Sequence, residues 1–244
     1  MRPEIAVLLG VLGVALLSMP VYALGAARRG RDPHEVADRG SFILGTFVRD
    51  WFLWFQSPTQ RVALALGMGP TFFNLLGAFF GCLAGAFFAT GHLSLGGWSV
   101  LLGGWADIMD GRLARALGIA SERGAFLDST LDRFAEFGSF VGLALLFRES
   151  ELALTLVVTA LGGSLLVSYA RARGESVGVV CKLGIMQRAE RLLILALGAL
   201  LDPTVSAWVG SDTGALLVPA LGIIAVGTVG TAIFRTWWIA ARLP

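Results

Sequence analysis

Seven apolar blocks, several of them close to twenty residues long, constrain this chain more than any other feature of its sequence. They run over Ile5–Ala26, Phe72–Ala89, Leu93–Trp105, Ala125–Phe147, Leu152–Tyr169, Leu192–Leu201 and Ala215–Ala240. Crossing the hydrocarbon core of a bilayer takes roughly 20 residues of helix, and helices satisfy their backbone groups internally where water is absent. Leu93–Trp105 and Leu192–Leu201 look short only because polar residues enter their ends. Of the 244 residues, 56% are hydrophobic and 15% are charged, whereas a soluble domain carries roughly a quarter charged residues. A soluble helical core would need polar helix faces that this chain does not offer. The expectation is an all-α polytopic membrane protein with about seven spans.

A net charge of +2 is too small to point to nucleic acid as a partner. Its distribution is more informative. Arg28, Arg29, Arg31 and Arg39 follow the first block, and Arg112, Arg115 and Arg123 lie between the third and fourth. Arg171, Arg173, Lys182, Arg188 and Arg191 lie between the fifth and sixth, and Arg235 and Arg242 close the chain. The alternate connections (Gly91–Ser94, Arg148–Glu151 and Asp202–Thr213) hold a single basic residue, Arg148. Basic loops stay on the cytoplasmic side. The N-terminus is therefore expected outside and the C-terminus inside, in the cell (inner) membrane. Small residues at Ala23–Ala27 would suit signal cleavage, but the arginines behind them read as those of a retained anchor.

Three regions follow: an N-terminal transmembrane anchor (1–27), a cytoplasmic linker with a juxtamembrane amphipathic segment (28–69), and a membrane domain (70–244). Ser41–Arg61 mixes Phe42, Phe47, Trp51, Phe52, Trp54 and Phe55 with charges, a composition that favours the bilayer interface. Cys82 and Cys181 form no disulfide or metal motif. His34 and His92 stand alone, and neither is assigned a role.

The chemistry concentrates between Asp107 and Asp132. Asp107 and Asp110 are three residues apart and Asp128 and Asp132 four apart, so each pair shares one face of a helix. One pair ends the third span and the other begins the fourth, at the same membrane surface. Two adjacent antiparallel helices would bring the four carboxylates together. Such a cluster repels itself unless cations neutralise it, and oxygen-only ligands suit Mg²⁺ or Mn²⁺. Gly111 and Gly124 remove side chains beside the aspartates, Ala114 keeps that wall low, and Arg115 can meet a phosphate with paired N–H donors. One aspartate near a helix end would read as a cap or an arginine partner; four at helical spacing on consecutive spans read as a site.

These residues resemble the CDP-alcohol phosphotransferases. The family motif D-x2-D-G-x2-A-R-x8-G-x3-D-x3-D is met at every fixed position from Asp107 to Asp132. The resemblance implies a six-helix catalytic core, here preceded by one extra N-terminal transmembrane helix and an interfacial amphipathic helix, and a homodimer. It implies Asp107, Asp110 and Asp128 as ligands of Mg²⁺ or Mn²⁺ (two ions), with Asp132 sharing the metal site and serving as general base. Asp107, Asp110, Gly111, Ala114, Arg115, Ser121 and Gly124 would bind CDP, Ser121 standing where relatives often have Thr. The reaction implied is transfer of a phosphatidyl group from a CDP-lipid such as CDP-diacylglycerol to an alcohol, with release of CMP, in phospholipid biosynthesis. Pro70-Thr71-Phe-Phe-Asn74 stands where the family shows P-N-x-x-T, with Asn and Thr exchanged. That exchange is expected to bear on packing more than on chemistry.

The acceptor is read from Ser168-Tyr169-Ala-Arg171-Ala-Arg173-Gly-Glu175 and Gln187-Arg188-Ala-Glu190-Arg191. Arg171, Arg173, Arg188 and Arg191 suit a phosphorylated polyol, although interfacial arginines also anchor helix ends near anionic headgroups. Both segments resemble the phosphatidylinositol-phosphate synthase branch, with S-Y-x-[KR]-A-R-x-E and E-R-x-E-R; Gln187 replaces a Glu and Gly174 an Ala. Inositol phosphate is the favoured acceptor. The alternatives are a phosphatidylglycerophosphate synthase using glycerol 3-phosphate and, from another class, a divalent-cation transporter. A transporter would spread its carboxylates through the bilayer depth.

Overall fold

The computed structural model describes residues 3–29 and 45–243. Linker residues 30–44, with Arg31, His34, Arg39 and Phe42, lie outside the described residues.

Two compact units divide the chain, residues 1–68 and 69–244. The first contains α1 (Pro3–Arg29), α2 (Gly45–Phe55) and α3 (Ser57–Ala65). The aromatic run expected at the interface forms α2. Its Trp51 is buried and donates from Nε1 to Ser18 Oγ of α1 at 2.8 Å. The Tyr22 ring lies 5.7 Å from Phe47 and 5.6 Å from Trp54. Pro58 opens α3, where its missing N–H costs nothing.

The second unit contains α4 (Pro70–Ala89), α5 (Leu93–Ala116), α6 (Glu122–Leu146), α7 (Glu151–Ser176), α8 (Arg188–Val209) and α9 (Leu217–Ala240). One long helix stands at each expected block, and the core is the six-helix one. α4, α7, α8 and α9 are each long and apolar enough to cross a membrane. α5 and α6, which carry the aspartates, fall short of that apolarity. The chain is a multi-pass membrane protein.

α4 organises the end that carries the motif aspartates. It packs along both α5 and α6, while α5 and α6 barely touch each other. The aspartate pairs therefore converge around a third helix, where two adjacent antiparallel helices were expected. Small residues permit the close approach, the usual device where lipid removes a hydrophobic driving force. A Cβ at Gly81 would overlap Ala135, and one at Gly85 would overlap the Gly138 carbonyl. On the other flank, a Cβ at Gly77 would sit 3.5 Å from the Gly103 carbonyl oxygen. α5 also packs on α8, and α7 on α9. Phe88, Phe140, Leu143, Leu195, Leu221 and Ile224 fill the middle of the bundle.

The sixth block ends in sequence at Leu201, before Asp202 and Pro203, yet α8 continues through both to Val209. Asp202 does not lie in a solvated connection. It is fully buried and accepts hydrogen bonds from Gly214 N (2.9 Å), Leu216 N (2.8 Å), Leu217 N (2.8 Å) and Ser206 Oγ (3.1 Å). These donors include the amides that open α9, which have no partner within their own helix.

Candidate metal centre

The end of α5, the start of α6 and the start of α4 meet at the acidic cluster. α5 stops at a tight turn: Ile119 N returns to Ala114 O at 3.1 Å, and Gly118 takes a φ of +64°, open to glycine without steric cost. Ser121 then caps α6, its Oγ accepting from Gly124 N at 3.2 Å. The hydroxyl that the motif places at a CDP pocket thus also starts the helix that carries Asp128 and Asp132. Its own proton remains available to donate.

Asp107, Asp110 and Asp128 each offer a carboxylate oxygen, and the three oxygens lie within 4.8 Å of one another. Asp110 is buried; Asp107 and Asp128 are half-buried. Three hard oxygen donors at that separation fit a Mg²⁺ or Mn²⁺ ion. Asp132 stands one turn deeper along α6, paired with Arg188 Nη2 and 3.8 Å from Arg133 Nη2. Arg188 Nε also lies 3.7 Å from Asp107 Oδ2. Gly111 and Ala114 leave a low wall beside the cluster. The exposed Arg115 folds back over it, with Nη1 3.4 Å from where a Gly111 Cβ would be.

The four arginines expected at the acceptor do not behave alike. Arg171 and Arg173 are exposed at the end of α7, Arg171 pairing with Glu175 at 2.9 Å and Arg173 donating to Ser176 at 3.3 Å. Arg188 opens α8 beside the aspartates, and its buried Nε and Nη1 make no hydrogen bond among the described residues. Arg191 is 3% exposed and turned into the bundle, where its Nε donates to Glu136 Oε1 at 3.1 Å. Glu136 Oε2 in turn accepts from Arg133 at 3.0 Å, and Arg133 donates to Ser168 Oγ of α7. Through this chain of contacts α6, α7 and α8 share one polar anchor below the aspartates.

Two residues of this centre escaped the sequence reading. Glu136 continues the Asp128–Asp132 spacing by four residues, which was the available signal. Asn74, whose exchange with Thr71 was expected to be a matter of packing, sits on the cluster. With its amide nitrogen turned as the surrounding acceptors require, Asn74 donates to Asp110 Oδ2 and, at 3.1 Å, to Asp128 Oδ1.

Residues 68–223 match the family model for CDP-alcohol phosphatidyltransferase. The chain belongs to this family. It is similar to a phosphatidylinositol phosphate synthase of Streptomyces avermitilis, 36% identical over 202 residues that cover 80% of this chain and 82% of that protein. It is also similar to an archaetidylinositol phosphate synthase of Methanothermobacter thermautotrophicus, 34% identical over 66% of this chain and 80% of the relative. Among solved structures, the Mycobacterium tuberculosis phosphatidylinositol phosphate synthase with CDP-DAG bound superposes with a TM-score of 0.66 at 28% identity. That match covers 75% of this chain and 92% of the mycobacterial one. The same mycobacterial enzyme in complex with manganese and citrate matches equally well, at a TM-score of 0.66.

Like other CDP-alcohol phosphatidyltransferases, the chain is a membrane transferase of substituted phosphate groups in phospholipid biosynthesis. Its aspartate cluster has the donor set and spacing for Mg²⁺ or Mn²⁺.

Proposed function

We propose that this transferase moves the phosphatidyl group of CDP-diacylglycerol to inositol phosphate and releases CMP. The observation that carries the acceptor is Arg188: it stands against Asp132, while its buried Nε and Nη1 make no hydrogen bond among the described residues. Buried donors are rarely left unpaired, and a phosphate oxygen would complete them. Arg171 and Arg173 extend the same cationic opening, while Arg191, held by Glu136, backs Arg188 from inside the bundle. The names of the relatives, which pair inositol phosphate with bacterial and archaeal lipids, favour the same acceptor.

Each site residue then has a task. Asp107, Asp110 and Asp128 hold the metal, with Asp132 sharing the site, and two ions would balance the four carboxylates better than one. When bound, the ions neutralise the diphosphate and the departing CMP. Gly111 and Ala114 let the CDP approach the α5 backbone, Arg115 grips a phosphate, and Ser121 and Gly124 close the pocket from α6. Asp132 accepts the proton of the acceptor hydroxyl, a poor nucleophile unaided. The hydroxyl oxygen bonds to the β-phosphorus, and the bond from that phosphorus to the bridging oxygen breaks. CMP leaves with the electron pair.

The aspartates share one end of the bundle with the basic α5–α6 and α7–α8 connections. That placement supports a site facing the cytoplasm, with the N-terminus outside and the C-terminus inside. Residues 1–27 would then be an anchor and 28–69 a cytoplasmic juxtamembrane segment ahead of the catalytic domain, 70–244, which would work as a homodimer.

The test is CMP release by purified protein given CDP-diacylglycerol, Mn²⁺ or Mg²⁺, and inositol phosphate, glycerol 3-phosphate or serine in separate reactions. CMP with inositol phosphate is expected. CMP with glycerol 3-phosphate alone would change the acceptor, and CMP with none of the three would sink the reading.

A further inference from the structure

Asn74 is fixed in place by the same packing that builds the site. Gly81 of α4 lies on Ala135 of α6. Asn74 precedes Gly81 by two turns, and Asp128 precedes Ala135 by two turns along a helix running the same way. On the α5 side, Gly77 meets Gly103; Asn74 lies one turn before Gly77, and Asp107 and Asp110 lie one and two turns beyond Gly103. A side chain at position 74 therefore has to stand over the aspartates contributed by both neighbouring helices.

The chemistry of the position suits that placement. Asp110 and Asp128 come from helices that barely touch each other, and their carboxylates face one another across the gap. A primary amide carries two N–H donors on one nitrogen, so a single Asn can serve an acceptor on each side. A hydroxyl has one proton and can serve one. Residues that hydrogen-bond metal-ligating carboxylates fix their orientation and raise metal affinity.

We propose that Asn74 is a positioning residue of the metal centre: its amide bridges Asp110 of α5 and Asp128 of α6 and holds both carboxylates at ligand spacing. The inference deepens the metal-dependent reading above and rests on it. It also makes α4, which contributes none of the motif aspartates, the helix that sets their separation.

The experiment is Mn²⁺ binding to the purified full chain without nucleotide or lipid, followed by the electron paramagnetic resonance signal of the free ion. Wild type is compared with Asn74→Leu, which keeps the shape and loses both donors, and Asn74→Thr, which keeps one. Asn74→Leu should bind Mn²⁺ about 10- to 100-fold more weakly, with Asn74→Thr in between. Turnover of both should recover toward wild type as Mn²⁺ is raised to saturation. Wild-type Mn²⁺ affinity in a folded Asn74→Leu overturns the proposal, whatever happens to its melting temperature, and leaves the reaction standing. Wild-type protein that binds no Mn²⁺ overturns the metal reading itself. Should Asn74→Leu fail to fold, Asn74→Thr decides: weaker binding supports the bridge, and unchanged binding removes it.

Discussion

Two acidic arrangements occupy opposite ends of the same bundle. At one end Asp202, wholly buried, faces three backbone amides and a hydroxyl, all between 2.8 and 3.1 Å. At the other, Asp107, Asp110 and Asp128 face one another, with their oxygens within 4.8 Å. The first carboxylate is complete within the protein. The second set is not, because placing like charges together with few donors leaves an electrostatic debt that folding alone cannot settle. Asp110 is buried much as Asp202 is, so burial alone does not separate the two arrangements. The partners do.

The contrast can be broken most severely by removing metal. Chelation should abolish CMP release completely, and Mn²⁺ or Mg²⁺ should restore it, while melting around Asp202 should be indifferent to the chelator. Activity surviving exhaustive chelation would mean that the cluster completes itself in some other way. Next in size is Asp132→Asn, which keeps the shape and loses the proposed base. The turnover number should fall about 10²- to 10⁴-fold, with binding of the CDP-lipid largely spared. A purified mutant with undiminished turnover would remove Asp132 from the proton transfer.

Asp202→Ala should behave the other way round. It strands the amides of Gly214, Leu216 and Leu217 in a dry interior, at about 1–3 kcal/mol for each donor left unsatisfied. A loss of about 3 kcal/mol or more is expected on that basis, read as a lower melting temperature, with turnover per folded molecule near wild type. Asp202→Asn retains one acceptor oxygen and should fall between. A mutant of normal stability and low turnover would place Asp202 with the catalytic carboxylates after all.

The sequence made these two arrangements unequally legible. The clustered aspartates announce themselves because two helix-periodic pairs, Gly111, Arg115 and Gly124 fall at fixed spacing around the ends of consecutive apolar blocks. The helices themselves are readable for the same reason: their length is dictated by the bilayer. Asp202 falls in a connection by sequence because the apolar block ends at Leu201, and its backbone partners lie twelve to fifteen residues downstream, across a turn. Glu136 was open to detection, one turn beyond Asp132, but its meaning depends on Arg191 arriving from α8. Asn74 could not be read at all from the aspartate motif. What brings it there is the register of α4 against α6, set by Gly81 on Ala135, and a single sequence does not display register between helices. Local spacing is visible in a chain; which helix stands between two others is decided by packing.

The smallest expected effect sharpens the same comparison among the arginines. Arg191 and Glu136 form a buried pair, 3% and 6% exposed, that links α8 to α6. Arg171 and Glu175 form an open pair one turn apart on α7. An exposed pair of this kind contributes about 0–1 kcal/mol to stability, so Arg171→Gln should leave the melting temperature nearly unchanged. If Arg171 extends the opening that receives the acceptor phosphate, the same substitution should raise the KM for inositol phosphate. Losing one partly solvated charge contact, worth about 1 kcal/mol, corresponds to about a fivefold change. The turnover number at saturating acceptor and the KM for CDP-diacylglycerol should both hold, because the proposed mechanism gives Arg171, paired with Glu175, no part in the leaving group or the proton transfer. An unchanged acceptor KM would confine phosphate recognition to Arg188 and its immediate neighbours, and the open pair would then be no more than a helix-surface ion pair.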